Sequence, residues 1–71
     1  MRFTYYPETD SLYIDLAEKK SADSREVAPG IVLDFDKLGH LVGIDIDQAS
    51  TVVDWSRLEL KSLPVQVQVA N

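Results

Sequence analysis

With 71 residues and no cysteine, the chain has room for one small domain, 1–71, with no disulfide to staple it and no thiolate to bind zinc or attack a substrate. Seven basic residues against twelve acidic ones give a net charge of −5, which argues against the basic stripe that nucleic-acid binding requires. A hydrophobic content of 45% argues against disorder and for a globular domain.

No apolar run exceeds three residues, so nothing is expected to span a membrane. The first residues show no apolar stretch after a basic start. A soluble, cytoplasmic protein is the expectation.

Phe3 and Tyr5 alternate with Thr4 and Tyr6. Pro7-Glu8-Thr9-Asp10 then has turn chemistry, and Leu12, Ile14 and Leu16 alternate with Tyr13, Asp15 and Ala17. This predicts a β-hairpin with a four-residue loop. Matching the apolar faces sets Tyr5 opposite Leu12, Phe3 opposite Ile14, Thr4 opposite Tyr13 and Arg2 opposite Asp15. Glu18 to Arg25 is polar and without period, and is expected to be a mobile surface loop.

A second hairpin follows. Pro29-Gly30 is a turn or strand entry, Ile31, Leu33 and Phe35 alternate with Val32, Asp34 and Asp36, and Lys37-Leu38-Gly39-His40 makes the turn into Val42, Ile44 and Ile46. Two registers compete. A type I turn with a glycine bulge pairs Asp36 with His40 and would set Ile31 against Asp45. A four-residue loop pairs Asp36 with Leu41, Phe35 with Val42, Leu33 with Ile44 and Ile31 with Ile46. The second is preferred because it buries six apolar side chains on one face.

Gln48 to Thr51 breaks the alternation, and Val52-Val53 is expected to be extended. Ser56-Arg57-Leu58-Glu59 reads as a capping box, with Trp55 and Leu60 as its hydrophobic staple. It predicts one short helix near 57–62, ended by Pro64. Val65, Val67 and Val69 then share one face of a last strand. That strand is uncharged and prone to self-association. A homodimer through Val65, Val67 and Val69 is therefore expected.

The fold class is mainly β: a small antiparallel meander of two hairpins plus a C-terminal strand, with one short helix.

Two stretches resemble a known family. Tyr5-Tyr6-Pro7-Glu8-Thr9-Asp10-Ser11-Leu12-Tyr13-Ile14 is similar to the opening of the family of domain of unknown function 2283. Ala28-Pro29-Gly30-Ile31-Val32-Leu33-Asp34-Phe35-Asp36, Gly39, Leu41-Val42-Gly43-Ile44-Asp45-Ile46 and Ala49-Ser50 resemble its central hairpin. Together they cover roughly 3–60. Tyr6, where the family usually has Asp, and the apolar Leu38 in the turn depart from its pattern. The resemblance implies a small, mostly β protein with no established activity. It also suggests an antitoxin role, because some relatives are thought to be encoded beside small toxin-like proteins.

The chemistry-bearing residues are few. Asp34 and Asp45 are diagonal neighbours on the polar side of the second hairpin and are the candidate metal ligands. Calcium, however, wants six to eight converging oxygens, and no such spacing is present. A solvated acidic face is the plainer reading. His40 stands alone at a hairpin tip, with Asp36 placed to orient it, and no serine sits in a nucleophile elbow. Gly43 lies mid-strand opposite Asp34, where Trp55 or Tyr13 could cover it; a bend in the sheet explains it equally well. No catalytic residue and no cofactor is expected. The expectation is a non-catalytic protein-binding module, antitoxin-like, that meets a small basic protein by charge steering. The alternatives are a self-associating structural module and, behind it, a metal-dependent or hydrolytic enzyme.

Overall fold

Hydrophobic alternation and turn chemistry place five strands in the computed structural model, which describes residues 1–65. They are β1 (Arg2–Tyr6), β2 (Ser11–Asp15), β3 (Asp23–Ala28), β4 (Ile31–Phe35) and β5 (Leu41–Ile46), followed by a single helical turn, α1 (Ala49–Val52). All pairings are antiparallel, in the order β1-β2-β5-β4-β3. Strands β3, β4 and β5 are joined by hairpins, and β2 returns beside β5. This is a Greek-key connection extended by β1, rather than a plain meander.

The first hairpin has the expected register, from Arg2 opposite Asp15 to Tyr5 opposite Leu12. In the second, both competing registers are partly realised. The Asp36 N–H donates to the His40 carbonyl at 2.9 Å, with Gly39 at φ 84, the geometry of a type I turn with a glycine bulge. A second bulge then sets Phe35 opposite Leu41 and leaves Val42 as the extra residue. The inserted residue restores Leu33 opposite Ile44 and Ile31 opposite Ile46. The expected pairing of Phe35 with Val42 is therefore corrected, while the deeper register holds.

The segment 18–25 was expected to be a loop, but its C-terminal end belongs to β3, an edge strand. Backbone pairing to β4 holds it, from Asp23 opposite Phe35 to Ala28 opposite Ile31. Its residues Asp-Ser-Arg-Glu-Val-Ala carry no apolar alternation because an edge strand here buries neither face: all six are exposed. Pro29-Gly30 makes the two-residue turn between β3 and β4, with Gly30 at φ 78.

The helix expected near 57–62 is absent from that position. Asp54 takes the Ser56 hydroxyl at 2.6 Å and the Ser56 N–H at 3.1 Å, and Glu59 sits against Lys61 at 3.3 Å. The capping pair is thus engaged in a local turn, the usual competitor of a short helix. The helical turn lies earlier, at Ala49–Val52, so Val52 is not extended as expected; only Val53 is, at φ −105 and ψ 133. Of the expected last strand, Val65 is exposed and outside any strand, and Val67 and Val69 lie outside the described residues.

The apolar side of the sheet consists of two rows running across all five strands. One is Phe3, Ile14, Ile44, Leu33, Arg25; the other is Tyr5, Leu12, Ile46, Ile31, Ala28. Among the described residues the buried hydrophobic side chains are Leu12, Val42 and Ala49, at 4%, 2% and 0% exposure. Ile14, Ile31, Leu33, Phe35, Ile44 and Ile46 are half-buried. The expected burial of six side chains on this face is therefore reached at Val42 alone. One sheet with one helical turn supplies too little second layer.

Candidate functional site

The opposite side of the sheet holds the chemistry. Its rows are Arg2, Asp15, Gly43, Asp34, Ser24 and Thr4, Tyr13, Asp45, Val32, Glu26. Asp15, Glu26, Asp34 and Asp45 stand there against a single base, Arg2. Asp47, next in alternation along β5, approaches the Ser11 hydroxyl at 3.4 Å. Lys19, Lys20 and Lys37 lie in loops between strands.

Gly43 explains the centre of this face. A Cβ built on it would overlap the Tyr13 hydroxyl and come within 2.6 Å of Tyr13 Cζ. Only glycine lets the ring lie across β5. Thus laid, Tyr13 donates to Asp34 Oδ2 at 2.8 Å, and Ser24 donates to Asp34 Oδ1 at 2.6 Å. A bridge runs from β2 over β5 to β4 and on to the edge strand β3. Burial, then the hydrogen bond to Asp34, pushes the Tyr13 phenol up to about 12. Of the two residues named as cover for Gly43, Tyr13 is the one in place; Trp55 instead packs edge-on against Tyr5, with ring centroids 5.3 Å apart.

Asp45 faces Tyr13 on one side and Val32 on the other. Burial raises its carboxyl above the usual range, and the charges of Asp47 and Asp34 raise it further. Its ionised form is thus disfavoured first by burial and then by its two acidic neighbours. Asp34 and Asp45, the two candidate metal ligands, are diagonal as expected, but both oxygens of Asp34 already accept protein hydrogen bonds. No group of three or more potential ligands among the described residues could hold a metal ion.

His40 and Asp36 meet as expected, with Nδ1 3.2 Å from Oδ2. Asp36 Oδ1 also accepts the Leu38 and His40 N–H groups at 2.9 Å each. These bonds, led by the one from the His40 backbone, hold its carboxyl below the ordinary value. The arrangement closes the turn. Asp36 is thus fixed by hydrogen bonds, whereas the composition had suggested only a solvated acid.

Sequence reasoning missed Asp10. Its side chain accepts the Tyr5 hydroxyl at 2.7 Å, the Ser50 hydroxyl at 2.6 Å and the Ser50 N–H at 3.1 Å; its carbonyl accepts the Ala49 N–H at 2.8 Å. A turn aspartate thus caps a helical start 40 residues away. These bonds, that from Ser50 first, lower its carboxyl. Gln48, the residue in the capping position, makes no side-chain cap, and no local signal points to Asp10.

Residues 2–50 match the model of a family described as protein of unknown function (DUF2283). The chain belongs to this family. The matched stretch contains all five strands, the Tyr13–Gly43–Asp34 bridge and Asp10 with Ser50. It ends inside α1, short of the residue 60 to which the resemblance extended, so Trp55 lies beyond it. No curated protein and no solved structure matches the chain. No helix among the described residues is long and apolar enough to cross a membrane.

Proposed function

We propose that the chain is a non-catalytic, cytoplasmic protein-binding module, antitoxin-like, whose acidic sheet face engages a small basic protein. The observation that carries this reading is the segregation of charge. Asp15, Glu26, Asp34 and Asp45 share one face of the sheet with Arg2 as the base among its strand positions. Such a surface steers a cationic partner and raises its association rate, with a strong dependence on salt. On this face the Tyr13 and Ser24 hydrogen bonds to Asp34 link β2, β4 and β3. The resemblance to a family with toxin-adjacent relatives supports the same direction.

The test is a paired recovery from the native host. The tagged chain and a variant carrying Asp15→Asn, Glu26→Gln and Asp45→Asn are purified side by side and their bound proteins identified. A small basic protein retained by the first and lost by the second is the expected result. Equal recovery by both, or enrichment of acidic proteins only, would refute the assignment to this face.

A further inference from the structure

The apolar side of the sheet calls for its own account, because among the described residues part of it is left uncovered. Phe3 is 54% exposed at one end of its row, and Ile14, Ile44 and Leu33 continue that row half-buried. Arg25, at the far end, lays its guanidinium over the Phe35 ring, with Cζ 4.4 Å from the ring centroid. The helical turn is tied to Asp10, at the β1–β2 turn, where Leu12 is buried. The cover is therefore at one end only, and the Phe3–Ile14–Ile44–Leu33 row lies outside it.

The distribution of charge selects the occupant. Two copies carrying −5 each repel wherever their acidic faces approach. Stacked through the apolar faces, they place those acidic faces on the outside of a two-layer sandwich, as far apart as the fold allows. A face without a carboxylate along Phe3, Ile14, Ile44 and Leu33 is complementary to itself, which a two-fold interface requires. We propose that a second copy of this chain covers the apolar face, making a sheet-on-sheet homodimer through Phe3, Ile14, Leu33 and Ile44. The dimer supplies the second layer that the protomer lacks and leaves both acidic faces free.

Sedimentation equilibrium at micromolar concentration tests it on the full chain, on Phe3→Glu, on Tyr6→Glu and on a chain ending at Val65. Phe3 and Tyr6 are both well exposed on β1 but alternate to opposite faces, and far-ultraviolet circular dichroism confirms that each variant folds. The expected result is a dimer weakened about tenfold or more by Phe3→Glu, which would bury an unpaired charge in an apolar interface, unchanged by Tyr6→Glu and retained in the shortened chain. A monomeric full chain, a dimer indifferent to Phe3→Glu, or a dimer lost on shortening would overturn it. The last outcome would return the interface to Val65, Val67 and Val69.

Discussion

The two faces of this sheet are built from the same four strand pairings, yet they reach different states. On the polar face the groups at the centre are satisfied within the chain: Tyr13 crosses Gly43 to Asp34, and Ser24 takes the other oxygen. On the apolar face the side chains have the right register, but the described residues place cover at one end only, and Leu33 and Ile44 stop at half-burial. The difference is one of range. A hydrogen bond needs one partner within 3 Å or so, which a neighbouring strand provides. Burial of a face needs a second layer about 10 Å away, which a chain this short does not supply.

The largest effect expected within the protomer is at its covered end. Leu12→Ala should cost about 2–5 kcal/mol, the range for a buried leucine, measured by denaturant unfolding. Leu33→Ala should cost less than Leu12→Ala in dilute protein, and the gap should narrow as concentration rises, since association stabilises the folded chain by mass action. Equal costs for the two at all concentrations would break the contrast between the covered and the open ends.

The second test addresses the polar face. Gly43→Ala should cost about 1–3 kcal/mol, because the new methyl meets a ring held across the strand. The cost should fall when Tyr13→Ala is already present, which a double-mutant cycle detects. An unchanged cost would mean that the backbone of β5, and not the ring, demands glycine.

Alkali gives a third measure of the Tyr13 bridge. The phenol ionises near 10 when unfolded and near 12 when folded. The stability it contributes is full below pH 10 and is lost as pH rises from there toward 12. Tyr13→Phe should remove this part of the alkaline loss, followed by ultraviolet titration alongside unfolding.

The smallest effects are in acid, and they should have opposite signs. Asp10 and Asp36 have carboxyls held below 3.8, so their contribution is present above that pH and declines as pH falls through the folded values. Asp45 is raised above 3.8, so its ionisation disfavours the fold and its protonation on acidification restores stability. At neutral pH, Asp10→Asn should lower the melting temperature and Asp45→Asn should leave it unchanged or raise it slightly. A fall in both would show that Asp45 has a partner on this face.

Much of this was legible along the chain. Strict alternation in 3–6, 12–16, 31–36 and 42–46 placed four strands, the register of the first hairpin and that of the second away from its turn, because each strand shows its two faces in its own sequence. Pro29-Gly30 and Gly39 marked their turns because positive φ narrows the choice of residue. The edge strand β3 stayed hidden, since it is held by backbone bonds that leave no mark on its side chains. The capping box at Ser56 misled for the converse reason: it was a correct local pattern in a segment too short to hold a helix against the turn Asp54 offers.

Local order was thus set by the sequence alone, through steric limits and side-chain period, and so was the alternation that sends Asp15, Asp34 and Asp45 to one face and Ile14, Leu33 and Ile44 to the other. Tertiary structure decided which strands lie side by side, and with that everything joining residues far apart in the chain. The crossing from β2 to β3 put β5 between β2 and β4. Only then could Tyr13 find Asp34 and Asp10 find Ser50, contacts spanning 21 and 40 positions. No local propensity encodes such contacts, because their strength depends on a partner that the rest of the fold must first deliver.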